Sequence, residues 1–427
     1  SFTDDVAGWQ QVSIPITDFA RSADQPDGAP DDGLTLSDVW GYGLEFPNGT
    51  ATGTAGLDFV QRTPVPPPSE IVVTNLDDSG PGSLREALSL IADDGTITFD
   101  PGLAGGTMTL TSGELVVDRS VTVDASAAAP VTISAGGSSR VVQVGAGLTV
   151  SMSDLVLRDG VAAPQGGGVL NFGELSLDRV TVTDNLENSS GTSFDLGGGG
   201  IYNGDGAVLN LTDSTVSDNA TVEQPGGGVY GFFNSTVNIT RSTVSGNVGG
   251  DVAGGLRSLG NTTIENSTFS GNTSTNWHGG AMFLTDGNVT ISNSTIVGNT
   301  APGGTAGGLM VATFGAPVNV TIEDNIIADN GTYNCQIEGG GAAVLTSLGG
   351  NVVSDPSCAL IGTDQNVGAG GALVDVLADN GGPTLTHALL AGSPAIDAAV
   401  AACPATDQRG IARPLGAGCD VGSVEQS

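Results

Sequence analysis

The side chains most able to do chemistry in this chain are acids that precede a recurring asparagine. Asp184, Asp218 and Asp329 stand directly before Asn185, Asn219 and Asn330, and Asp324 lies five residues before Asp329. Glycoside hydrolysis needs two carboxylates across a groove, one to protonate the leaving oxygen and one to attack or to activate water. The matching positions in other copies are Gly246, Gly271 and Gly298, however, and Asp at a turn is ordinary, so these acids read as turn residues. Elimination on an acidic sugar needs a strong base, Arg or Lys. The chain has no Lys, and Arg158, Arg179 and Arg241 read as scattered. His278, beside Trp277, and His387 are too distant in sequence to make a pair and read as structural. No glycine-rich stretch has the phosphate-loop pattern. No catalytic residue is assigned, and the expectation is a protein that is not an enzyme.

Charge narrows the partners. Eleven arginines against 46 acids give a net charge of −35, which disfavours nucleic acid and anionic membrane surfaces. No run of 18 apolar residues exists to span a membrane. No cofactor is assigned; calcium stays open, with metal ligands unknown, because the strict calcium-binding β-roll repeat is not met. The four cysteines form two sequence-local pairs, Cys335 with Cys358 and Cys403 with Cys419. An even count without zinc spacing predicts two disulfides, although three connectivities are open.

The elements that must position all of these residues repeat. LSLDRVTVTDN ends at Asn185, and relatives of it end at Asn219, Asn247, Asn272, Asn299 and Asn330, a period of 25 to 34 residues. Between copies lie strings such as GGGGIYN and GGGVYGF. Every piece alternates apolar and polar residues with the two-residue period of a strand, which excludes helical solenoids. Three strands per period, rich in β-branched residues and turned by Gly and Asn, predict an all-β parallel β-helix. A β-propeller would need four strands per repeat. Stacking places each residue over its own copy, about 4.8 Å away. Like charges would repel there, whereas Asn185, Asn219, Asn247, Asn272, Asn299 and Asn330 can hydrogen-bond along the stack and tolerate a left-handed turn. The expected rod has roughly ten coils.

Both ends resemble known families. SGPGSLREALSLIADDG, read as a capping helix with Ser83 as N-cap, resembles the opening of bacterial surface right-handed β-helices named for a Cys-Ser-Leu-Arg-Glu-Ala signature, with Gly82 in place of the Cys. The rear stretch carries Gly381 to Thr384, Ser393 to Asp397, Asp407 to Gly410, Arg413, Pro414, Cys419, Asp420, Gly422 and Glu425. It resembles the choice-of-anchor domain of exported bacterial proteins, which implies an extracellular or cell-surface location; an export signal is expected to have been removed or to lie outside Ser1–Ser427, and the anchor to be missing, cleaved or replaced by another attachment. WQQVSIPITDF and LSDVWGYGLEF resemble half of a carbohydrate-binding jelly-roll module, for which Trp9, Trp40 and Tyr42 are the ligand-binding candidates.

The expected division is residues 1–62 as a partial β-sandwich, 63–70 as a proline-rich linker, 71–100 as the front cap, 101–365 as the right-handed parallel β-helix, and 366–427 as a C-terminal cap. The expected function is an extracellular structural or adhesive protein that partners copies of itself in fibres or a surface layer. A polysaccharide-active lyase or hydrolase and a monomeric carbohydrate-binding adhesin are the alternatives.

Overall fold

The computed structural model describes residues 66–191, 193 and 195–426, and the expectations for residues 1–62, Trp9, Trp40 and Tyr42 among them, lie outside that range. Residues 1–64 and 65–427 form separate compact units.

Within the described residues the chain winds into a parallel β-helix with three long sheets. Eleven strands, from Glu70–Val73 to Ala343–Gly349, make the first sheet; nine, from Leu115–Val117 to Tyr333–Glu338, make the second; eleven, from Thr107–Thr109 to Gln365–Asn366, make the third. A central coil runs through Ile201–Asn203 of the second sheet, Val208–Thr212 of the first and Thr215–Ser217 of the third. A short fourth ladder, Val161–Ala162 to Thr273–Ser274, extends five of the coils past the asparagine corner.

Register explains the monotony of the repeat. Leu211, Ile239, Ile264, Ile291 and Ile322 lie over one another in the first sheet, all fully buried, and the outward residues between them are polar. A slip of one residue would turn that whole apolar row into water.

Both ends are closed. At the front, helix Leu84–Leu90 buries Leu84, Ala87 and Leu88; Ser83 Oγ accepts from the Glu86 amide at 3.2 Å and Glu86 Oε2 accepts from the Gly82 amide at 2.7 Å. These paired bonds satisfy orphan donors at the helix start. Gly82 has φ +83°, and a side chain there would meet Thr74 Oγ1 at 2.3 Å. Arg85 ties the helix to the first coils by donating to the Gly113 and Glu114 carbonyls, both at 2.7 Å, and to Asp78. At the rear, the Cys335–Cys358 bridge brings Cys358 against the core.

The last sixty residues do more than sit on that rear end. They run back along the outside of the third sheet as a strap, containing the hairpin Val374–Ala378 and Thr386–Leu389 and the Cys403–Cys419 bridge. Thr243 donates to the Leu385 carbonyl at 2.6 Å, Thr268 to Gln408 Oε1 at 2.6 Å, and Ser423 N to Thr295 Oγ1 at 3.1 Å. A second apolar core, with Val297, Ile326 and Val352 against Leu389, Ala395 and Val421, lies outside the rod. The rear motif is what seats it. Asp407 accepts from the amides of Arg409, Ile411 and Glu425, while buried Arg413 donates to the carbonyls of Asp420 and Gly422.

Candidate functional site

The corners of the coil come first, since they hold the acids singled out above. Asn185, Asn219, Asn247, Asn272, Asn299 and Asn330 are buried, and each Nδ2 donates to the next Oδ1 at 2.8–2.9 Å, ending on Asn334 at 3.1 Å. Each Oδ1 also accepts the backbone N–H of the asparagine before it, as in Asn247 N to Asn272 Oδ1 at 3.1 Å. The sequence reading places the left-handed turn at these asparagines; the structure puts it one residue earlier. Asp184 (φ 55°), Asp218 (56°) and Asp329 (56°) share that corner with Gly246, Gly271 and Gly298. Only residues that bear positive φ at low cost fit, so Asp and Gly substitute for one another. These carboxylates point outward at coil corners. Asp324 is different: it is fully buried and accepts from the amides of Val400 and Ala401 in the strap.

A second corner, between the first and third sheets, carries a charge ladder. Arg179 pairs with Asp154 through both carboxylate oxygens (2.9 and 2.7 Å), and Arg241 with Asp213 in the same way (2.8 and 2.7 Å). Arg179 and Arg241, scattered to the eye in the sequence, occupy equivalent corners and alternate with acids. Hydrogen bonding to Asp154 raises the Arg179 pKa further, so it stays protonated and cannot serve as a base. The two histidines make hydrogen bonds with other groups. His278 Nδ1 accepts the Thr305 amide at 3.0 Å, and His387 Nε2 meets Ser270 Oγ at 2.9 Å under the strap.

Sequence reasoning missed the outer face of the second sheet. Leu170, Tyr202, Tyr230, Arg257, Phe283 and Met310 lie in register there, pointing away from the rod's interior, and most are buried by the loops that enter this sheet. Tyr202 and Tyr230 meet edge to face with centroids 5.3 Å apart, and Phe232 and Phe233 extend the cluster. Arg257 lies 4.4 Å from the Phe283 ring centroid. Among the described residues it is the one arginine without a carboxylate at ion-pair distance. Burial holds its pKa down to about 10 and pushes Tyr230 up to about 12. Burial likewise raises the carboxyl groups of Asp251 and Glu187. The warning was legible: IYN and VYG put aromatic residues where a strand with one wet face would carry polar ones.

This row holds groups with shifted acidities, yet its members are packed rather than open. Two concavities open on the surface of the rod. One of about 290 Å³ lies against Asp154, Arg179, Asp213 and Pro383, and one of about 260 Å³ against Phe233, Asn234, Asn261 and Asp286. Both fall below the range of about 300–1,000 Å³ usual for small-ligand pockets. No cluster of three or more metal-ligating side chains occurs among the described residues.

Residues 168–371 match the family model described as right handed beta helix region. Residues 1–63 match the carbohydrate binding domain (family 11). The rod is thus a right-handed parallel β-helix, and the segment in front of it is similar in sequence to a carbohydrate binding domain. No curated protein matches the chain. Among solved structures, pectate lyase Pel9A superposes with a TM-score of 0.49 at 15% identity, over 84% of this chain and 97% of that one.

Proposed function

We propose that this protein is an extracellular, non-catalytic carbohydrate-binding β-helix that attaches to neutral polysaccharide. The observation that carries this reading is the match of residues 1–63 to a carbohydrate-binding domain. It gives residues 1–63 a role that needs no second copy of the chain, and for that reason polysaccharide attachment is preferred to the self-assembling fibre. The net charge of −35 favours neutral over acidic glycans, which the protein's own field would repel. The two disulfides fit an oxidising, extracellular setting. Affinity electrophoresis through gels containing neutral or acidic polysaccharides tests it: retardation is expected in the neutral gels alone, and free migration in all of them would overturn the reading.

One observation favours a second reading, a polysaccharide lyase. Arg257 is kept clear of carboxylates and its pKa is depressed, as a proton-abstracting arginine requires. Its burial at 5% exposure argues for a packing role. Formation of unsaturated sugar ends from an acidic polysaccharide, with calcium present and lost in Arg257→Ala, would establish the lyase.

A further inference from the structure

The three sheets differ in what covers their outer faces. The strap covers the rear of the third and loops cover the second, whereas the central outward residues of the first are all partly or fully exposed. Its central outward row is uniform: ten residues in register, from Thr96 through Ser176, Asn210 and Thr263 to Thr346, are all Thr, Ser or Asn, and none is buried. Glu70 precedes them at the front edge.

The stacked architecture does not by itself dictate this neutrality. The same rod stacks acids and arginines alternately at one corner, and two residues away on this very sheet it carries Asp178, Glu265 and Glu323. In a chain with 46 acids, a ten-coil row of uncharged hydroxyls and amides is a patch apart. The groups also face one another along the row, Asn238 Nδ2 donating to Asn210 Oδ1 at 2.8 Å and Asn210 Nδ2 to Ser176 Oγ at 3.2 Å. Those bonds hold Ser176, Asn210 and Asn238 in place, so these three have little rotamer entropy to lose on contact.

We infer that the outer face of the first sheet is a second carbohydrate-contact surface, which lies flat on an insoluble neutral polysaccharide. This rests on the reading proposed above. Sugar hydroxyls both donate and accept, as do Thr, Ser and Asn, and a neutral glycan escapes the repulsion that a second copy of this acidic chain would meet face to face. A long row of weak contacts and a separate module on one chain reinforce each other through effective concentration.

The test uses the full chain and pull-down on microcrystalline cellulose, chitin and insoluble β-1,3-glucan. Thr263→Lys with Thr321→Lys changes one exposed and one half-buried outward position two coils apart, leaving the coil between them intact; Val222→Lys, exposed on a loop, is the control. Trp9→Ala with Trp40→Ala disables the front module. The inference expects the rod-face variant to lose at least about tenfold in retention on the polysaccharide that binds the parent. Its thermal midpoint and light-scattering mass should match those of the control. Retention equal to the control's, with loss only in the tryptophan variant, would overturn the inference and leave the module reading standing. If the parent binds none of the three, both fall. A change in scattering mass without a change in retention would mark the face as a contact between copies, which also overturns it.

Discussion

Two stacks in this rod solve the same problem differently. The asparagine ladder is buried and uniform, while the corner of Asp154, Arg179, Asp213 and Arg241 is at the surface and alternates. In both, each residue faces its copy one coil away. Under burial the stacked group must complement itself, and the primary amide, with a donor at one end and an acceptor at the other, does so; a carboxylate cannot. At the surface charge is affordable, provided successive coils change its sign.

The largest effect is expected where self-complementarity is broken inside. Asn272→Leu leaves the N–H and Nδ2 of Asn247 without their acceptor and the Val244 carbonyl without its donor. At about 1–3 kcal/mol per stranded buried group, the loss should reach about 3–5 kcal/mol, read as a lower urea midpoint. Next comes acid. Burial lowers the pKa of His387 from 6.5, against the hydrogen bond to the Asp375 carbonyl that raises it. The undocked strap therefore takes up the proton first, so docking should weaken as the pH falls below about 6.5 and stop weakening once the docked histidine is also protonated. Hydrogen exchange in residues 367–426 should rise over that window and become flat in His387→Gln. The smallest effect belongs to the outer corner. Asp213→Arg would stack three arginines, costing about 1 kcal/mol at low salt and less at high salt. A loss as large as that at Asn272 would erase the distinction between the two stacks.

The rod was legible because the repeat states it many times over: alternation, period and the asparagine column are all sequence properties. A second ladder escaped notice although its signal was present. Ser214, Ser242, Ser267 and Ser294, followed by Asn325 and Asn351, each accept the backbone N–H of the coil before, at 2.9–3.2 Å. The four serines are the middle residues of the recurring Asp-Ser-Thr, Arg-Ser-Thr and Asn-Ser-Thr triplets. The strap's docking face was not legible. Thr181 and Thr215 lie partly exposed while Thr243, Thr268 and Thr295 are buried in register with them, and one residue type serves both surroundings. What distinguishes them is a segment more than a hundred residues away. The acids at the asparagine corners were legible as turn residues, but the exact left-handed position was not, since Asp, Asn and Gly all visit that region.

The strap divides the repeats into two kinds. The strap's hydrogen bonds to the coils begin at the Arg241 carbonyl, which accepts from Thr384 at 3.2 Å, so whole windings could be gained or lost well in front of it and the array would simply become longer or shorter. Behind it, any such change would throw Thr243, Thr268 and Thr295 out of step with Leu385, Gln408 and Ser423. Natural variation in repeat number should therefore accumulate on one side of that boundary, with the rear windings inherited as a block of fixed size.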